Sequence, residues 1–436
     1  MKFFLISLGC PKNTADSEGI IRALQGRGLE YVNSSASADL ILVNTCGFIR
    51  DAKEESLAAI MDVVALKKDR PALKVVAFGC LVKRYQTALQ QEIPEIDGLF
   101  PFFTGKELDA FLPRKKHSPA PDDPDQPQPR VLTPPHIGLL KIGEGCNNRC
   151  AYCAIPDIRG PYQSYSPDSI FIEAERLVAT GAKEICVIAQ DTTRYGTDFP
   201  KNSPHAMFLP ELVQKISEIS GINWIRLHYL HPKRLEFSFL DDIFNTPKVL
   251  PYFDIPFQHS SDRMLSLMNR DVTKKQLISL IGHIRKQFRG GVIRSTLIVG
   301  FPGETEDDFK MLTRFIEDHP IDRLGAFPYS NEEGTPAFRI RPQIPKKVRL
   351  QRLDELMTLQ GLLASERNRR HVGKTVELLV DKVEEGQVFA RTMWDAFDID
   401  NLTTLSCADK EVVPGMFIRG RILTADAYDF TAEHVS

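Results

Sequence analysis

The sequence predicts an α/β protein in three units. These are an N-terminal parallel-sheet α/β domain (1–112), a central incomplete TIM-like barrel (136–370) and a small C-terminal β-barrel (371–436). Three observations carry this reading. Short apolar runs alternate with helical patterns through most of the chain, the pattern of βαβ units on a parallel sheet. A proline-dense stretch at 113–135, without apolar periodicity, interrupts that alternation and reads as an extended linker. Beyond about residue 371 the helical patterns stop, and short apolar–polar alternations with frequent turns replace them.

In the first unit, strands are expected at 3–8, 40–44 and 74–78, with helices through SEGIIRALQGRG and DAKEESLAAIMDVVALKKD. Ser17–Glu18 and Asp51 are suitable helix-start residues. In the linker, Arg114-Lys115-Lys116 reads as a solvated basic triplet. The central unit repeats strand-then-helix, with strands expected at 137–142, 184–189, 223–230, 252–257, 292–299 and 324–329. Six parallel strands with helices between them suggest a partial barrel, whose active groups would lie at the carboxyl ends of the strands. Residues 345–370 carry a helical period that leads out of the barrel.

Composition excludes several classes. At 436 residues the chain is too long for one ordinary core. Hydrophobic residues at 42% and charged residues at 26% describe a globular protein, and a formal net charge of −2 gives no nucleic-acid footprint to the whole molecule. No window approaches the ~20 apolar residues of a membrane span. The start MKFFLISLGC has the outline of a lipoprotein signal ending at Cys10, but its apolar stretch is too short. Export is not expected, and a cytoplasmic location is. Eight cysteines, clustered as they are, suggest a reducing compartment and metal ligation.

Six of the eight form two sets. Cys146, Cys150 and Cys153 make a CxxxCxxC triad directly after the first barrel strand. Three thiolates at this spacing can hold three corners of a [4Fe–4S] cube and leave one iron open, whereas ferredoxin runs differ in spacing and supply a fourth cysteine. A zinc site is the alternative. It would need a fourth ligand, and Cys186 and His228 stand far off in sequence. Cys10, Cys46 and Cys80 each close a short apolar run, FFLISLGC, LILVNTC and VVAFGC, at intervals of 36 and 34 residues. That spacing places each at the carboxyl end of a parallel strand, the edge where open α/β sheets bind ligands. Three buried structural cysteines are the bland alternative. Cys186 and Cys407 have no spacing partner and read as packing residues. His228 and His231 read as structural.

CxxxCxxC resembles the radical S-adenosylmethionine signature. Together with SLGCPKN, VNTCGFI and FGC-L, it is similar over nearly the whole chain to the methylthiotransferase family, with a TRAM-like domain at the end. The resemblance implies two [4Fe–4S] clusters, an auxiliary one on Cys10, Cys46 and Cys80 and a radical one on Cys146, Cys150 and Cys153. It implies methylthio insertion at an unactivated C–H bond, with two S-adenosylmethionine molecules per turnover. One methylates a sulfur carried at the auxiliary cluster, and the other is cleaved to a 5′-deoxyadenosyl radical. It further implies S-adenosylmethionine contacts at Tyr152, Gln190, Arg294, Gly300 and Glu304. An electron donor such as flavodoxin or ferredoxin, and a sulfur donor, are expected as partners.

Two branches of that family differ in substrate, an adenosine of transfer RNA or an aspartate of small-subunit ribosomal protein S twelve. SLGCPKN, VNTCGFI, YFDIPFQHSSDRML and AYDF resemble the protein-modifying branch. Charge agrees: residues 371–436 hold six Lys/Arg and twelve Asp/Glu, a net of −6, which suits a basic protein better than RNA. One segment departs from that branch's usual RSYxDAPExDG: Arg391 to Thr403 keeps Asp395-Ala396 and Asp400 but lacks the proline and the final glycine. Trp394 and Phe397 would be contact anchors if exposed, and core if buried.

Overall fold

A computed structural model of the chain describes residues 1–103, 105–112, 129–200, 206–406 and 411–435. Arg114-Lys115-Lys116, most of the proline-rich stretch and Cys407 lie outside the described residues.

The N-terminal sheet has five parallel strands in the order Glu30–Tyr31, Lys2–Ser7, Leu40–Thr45, Lys74–Gly79, Gly98–Phe100. Its central strand is buried along its whole length because helices cover both faces. Ile41, Val43, Val75 and Ala77 pack on one side, while Leu40, Leu42, Val76 and Phe78 pack on the other. Each such side chain contributes roughly 1.5–3 kcal/mol on burial. The two edge strands, of two and three residues, are too short for a sequence period to declare them.

The six barrel strands are Ile137–Lys141, Glu184–Ile188, Trp224–Leu227, Tyr252–Asp254, Val292–Val299 and Arg323–Pro328. They form two three-stranded parallel sheets, joined between the third and fourth strands by a parallel bridge from Ile225 to Val249. The period of two divides their side chains. Outward residues such as Leu140, Val187, Ile225 and Leu227 pack with the surrounding helices. Inward residues line the lumen.

The terminal unit is a closed five-stranded barrel made of Thr375–Glu384, Gln387–Thr392, Thr403–Ser406, Phe430–Val435 and Phe417–Ala425. It sits against the amino ends of the central strands. Trp224, Tyr252 and Val292, each the first residue of its strand, pack with Leu379, Trp394 and Phe430. The ion pairs there are buried as well: Arg391 reaches Glu184 at 2.8 Å, Arg323 reaches Asp395 at 2.7 Å, and Tyr252 donates to Asp400. Trp394 is therefore core, 8% exposed, and Asp395 is fully buried. The lost proline and glycine of segment 391–403 do not open it, because its acids are held from the barrel side.

The N-terminal domain sits at the opposite mouth. Glu332, just past the last barrel strand, takes Lys53 at 2.8 Å and Arg84 at 2.9 Å. The helix Lys346–Arg369 runs down the open side, with Gln360 donating to Ile321 and Arg367 pairing with Asp322.

Candidate active site

The loops that end the three central N-terminal strands carry Cys10, Cys46 and Cys80. Cys10 caps the helix Pro11–Gln25, and Cys80 opens the helix Cys80–Glu92. These loops touch: a Cβ added at Gly47 would lie 2.7 Å from the Leu81 backbone and 2.8 Å from the carbonyl carbon of Cys80. Burial pushes the Cys46 thiol up to about 11, with the Phe48 amide opposing and Cys80 and Cys10 adding to the rise. The Cys80 thiol is also raised by burial, and Arg159 opposes it. Thiols that have lost water in this way favour a proton or a metal in its place.

The second triad lies on the loop after Ile137–Lys141. Gly145 turns it at φ +76°, where a Cβ would meet the Pro161 carbonyl oxygen at 2.2 Å. The amide of Cys146 donates to Gly160 at 3.0 Å, and the Asn148 amide lies 3.4 Å from the Cys146 sulfur. Arg270 points a guanidinium nitrogen at the Cys150 sulfur, 3.6 Å away. That guanidinium is held by Pro256 at 2.5 Å and by His231 Nε2 at 2.7 Å. Burial and the neighbouring Arg270 push His231 down to about 2, so it is neutral and accepts. Burial, then Cys150, pushes the Cys153 thiol far up.

Arg159 joins the loops that carry the two triads. It ends the short helix Ile155–Arg159 that follows the second triad, and its Nε lies 3.4 Å from the Cys80 sulfur. Its other nitrogens donate to Asn13 at 2.6 Å, Asp16 at 2.9 Å and Glu144 at 3.0 Å. Ala154, Ile158 and Cys80 pack together beside it.

The residues expected at S-adenosylmethionine divide. Tyr152 packs on a floor that includes Met264, Met268, Phe301 and Tyr329. Gln190 donates to Glu144 at 2.5 Å, leaving its carbonyl oxygen buried and without a partner among the described residues. Gln258, at φ +72° on the same mouth, has a carbonyl oxygen in the same state. Glu304 is committed elsewhere: it accepts from Gly300 at 2.8 Å and from Arg352 at 2.6 Å. It thereby pins the Gly300 turn, which passes against Arg349. Arg294 pairs with Asp254 at 2.9 Å and Asp400 at 3.5 Å, in the lumen on the side of the terminal barrel.

Among the described residues no three His, Cys, Asp or Glu side chains are arranged to hold a single metal ion. The triads are thus not preformed one-ion sites of the zinc type, whose ligands crowd to about 2.3 Å from one centre. Two sets of three thiols, each with one sulfur beside an Arg donor, fit clusters. The orphaned carbonyl oxygens beside the second set fit a ligand that brings N–H donors.

Three family models match the chain: Uncharacterized protein family UPF0004 over residues 2–101, the Radical SAM superfamily over 140–316 and the TRAM domain over 372–435. A "Ribosomal protein uS12 methylthiotransferase RimO" from Thermoanaerobacter sp. (strain X514) is 40% identical, covering 99% of each chain. Its namesake from Clostridioides difficile (strain 630) is 39% identical over 99% of this chain and 98% of its own. The chain belongs to the uS12 methylthiotransferase family. As a member it is a radical SAM enzyme that transfers a sulfur-containing group, with S-adenosylmethionine and [4Fe–4S] clusters as cofactors. Among solved structures, the radical S-adenosylmethionine methyltransferase TsrM from Kitasatospora setae, with cobalamin and a [4Fe-4S] cluster bound, superposes at a TM-score of 0.53. It shares 17% identity, covering 77% of this chain and 76% of that one, so the likeness is one of fold.

Arg159 and Arg270, which set N–H donors against Cys80 and Cys150, carry no spacing signal. Arg270 stands in the Met268-Asn269-Arg270 segment that follows the helix Asp262–Leu267. His231, read as structural, is structural through Arg270.

Proposed function

We propose that Cys146, Cys150 and Cys153 hold the cluster that binds S-adenosylmethionine, that Cys10, Cys46 and Cys80 hold a second, and that the enzyme inserts a methylthio group at the β-carbon of an aspartate of ribosomal protein uS12. The observation that supports this reading is Arg159, which ties Cys80 of the first triad to Glu144 on the loop that leads into the second. The bound clusters and S-adenosylmethionine supply reductive carbon–sulfur cleavage, hydrogen abstraction and the methylthio group.

The chain's own residues orient and shield. Arg270 and Arg159 each place an N–H against a thiolate, which stabilises the anionic, metal-binding form. Tyr152, with Met264, Met268 and Phe301 beneath it, provides an apolar surface for the adenine. Gln190 and Gln258 offer carbonyl oxygens to the ammonium of the methionine moiety. Closure of the amino end by the terminal barrel leaves the carboxyl mouth as the entry, which limits water at the reacting carbon. The domains 1–112, 136–370 and 371–436, the cytoplasmic setting, a flavodoxin- or ferredoxin-like electron donor and a separate sulfur donor complete the reading.

The test uses two triple variants. Cys146, Cys150 and Cys153 changed to alanine should halve the iron from about eight per chain and abolish 5′-deoxyadenosine. Alanine at Cys10, Cys46 and Cys80 should also halve the iron and abolish methylthio product, while reductive cleavage persists. Normal methylthiolation by the second variant would rule out the auxiliary role.

A further inference from the structure

Lys12 stands at the catalytic mouth, two residues from Cys10 of the first triad. Lys12 is the second residue of the helix Pro11–Gln25, and the first turn of that helix carries no acid. An ammonium there adds to the positive end of the helix dipole, which is an unfavourable place for it. The side chain is half-buried and leaves its own domain for the barrel. Its Nζ lies 3.5 Å from the centroid of the Tyr229 ring.

Tyr229 follows the exit of the third barrel strand and is itself constrained. Its backbone stands at φ +61°, a conformation costly for an aromatic residue. Asp254, accepting from its amide at 3.2 Å, and Thr192, donating to its carbonyl at 3.2 Å, hold it there. The chain thus spends backbone strain to present a ring to Lys12.

The other cations of the lumen are neutralised. Arg226 and Arg391 share Glu184, Arg294 has Asp254, and Arg323 has Asp395. Lys12 has no carboxylate within ion-pair distance among the described residues; its contact is the ring. Asp254, which accepts from the amide of Tyr229 itself, is already taken by Arg294 at 2.9 Å and His228 at 3.1 Å, and Asp16, one turn along the helix, by Lys141 and by Arg159 at 2.9 Å. An ammonium on an aromatic face is held in place while its N–H donors stay available.

We propose that Lys12, seated on Tyr229, receives the side-chain carboxylate of the substrate aspartate and so sets substrate specificity. This rests on the function proposed above. In aspartate the β-carbon is bonded directly to the carboxylate carbon, so one charge-assisted bond fixes the reacting carbon beside the loop of Cys10 and over the barrel mouth. An asparagine at that position brings no charge, and the ammonium is left desolvated and unpaired. Sites built around a polar partner reject the analogue that lacks it far better than apolar pockets reject a small change in size.

The experiment measures binding of recombinant uS12, and of its Asp→Asn variant at the modified position, to the cluster-loaded enzyme. Wild-type enzyme should bind the aspartate form about tenfold or more tightly, the usual worth of a charge-assisted bond. Lys12→Met should bring that ratio close to one by weakening the aspartate form alone, and Lys12→Arg should restore part of it. Both variants should keep the wild-type iron content and cluster absorption. Undiminished discrimination in Lys12→Met overturns the proposal. So does a loss of iron from Lys12→Met that Lys12→Arg repairs, because the charge would then serve the auxiliary thiolates. If wild-type enzyme binds and modifies neither form of uS12, the functional reading itself fails, and the proposal falls with it.

Discussion

Single residues at the carboxyl mouth are constrained by backbone as much as by chemistry. Gly145 shows how tightly. Its φ of +76° and the carbonyl oxygen 2.2 Å from any added Cβ leave no room for a side chain, and the obstacle is backbone that cannot swing away. Gly145→Ala combines a left-handed penalty of roughly 1–2 kcal/mol with displacement of the Gly160–Pro161 turn that anchors Cys146. The expected result is loss of the radical cluster, about half the iron, with the auxiliary cluster retained. Iron analysis together with electron paramagnetic resonance of the reduced protein checks it, and full iron content would contradict it. Nothing in the residue pattern announced this, beyond a glycine standing before a cysteine. By contrast, the six cysteines stand out in the sequence, three by intervals that repeat the strand–helix unit and three by the CxxxCxxC run.

At the scale of elements, the terminal barrel and the central strands meet through charges that have left water. Burial alone would raise Glu184, but Arg391 and Arg226 overcome that and hold it down at about 2. A carboxylate depressed in this way stabilises the docked form fully above about pH 4.5 and loses that contribution as the pH falls toward 2, on the order of 3 kcal/mol in all. Both tryptophans of the chain, Trp224 and Trp394, lie in this contact, 5% and 8% exposed. Their emission should therefore move to the red between pH 4.5 and 2. Glu184→Gln, which leaves Arg391 and Arg226 short of a counter-charge, should show red-shifted emission already at neutral pH. Unchanged emission in that variant would mean that the apolar contacts alone hold the dock.

At the scale of the molecule, the net −6 of residues 371–436 needs sorting before it says anything about partners. Asp381, Asp395 and Asp400 face inward with Arg391, as pairs to His136, Arg323 and Tyr252. Among the described residues, eight acids and four bases remain outside these pairs, an excess that is still acidic. Reversing Asp395 or Asp400 would therefore damage the fold and reveal little about recognition. Glu384, Glu385 and Asp398 are exposed and are the proper positions. Changing these three to lysine should slow association with uS12 severalfold at low ionic strength. The difference from wild type should fade as salt shortens the Debye length from about 10 Å at 0.1 M to about 3 Å at 1 M. Stopped-flow binding at several salt concentrations measures this. Association that is unaffected at low salt would remove the terminal domain from substrate steering.

By itself, the sequence determined the class of chemistry and most of the architecture. Apolar runs of strand length marked all six barrel strands to within a few residues, since burial on both faces leaves little choice of residue type. Cysteine spacing picked out two sets of three, one at the ends of successive strands and one on a single loop. Tertiary structure decided which charges are available. Arg294 and Glu304, expected from the resemblance at S-adenosylmethionine, each pair with a residue from another segment, Asp254 and Arg352. Asp395 and Asp400 are interior, held by Arg323 and Tyr252. Lys12 is held over Tyr229 at the reaction mouth. Local periodicity reports which face of an element is apolar. Whether a charge on that element is neutralised, buried or free depends on which remote segment packs against it, and no local pattern contains that information.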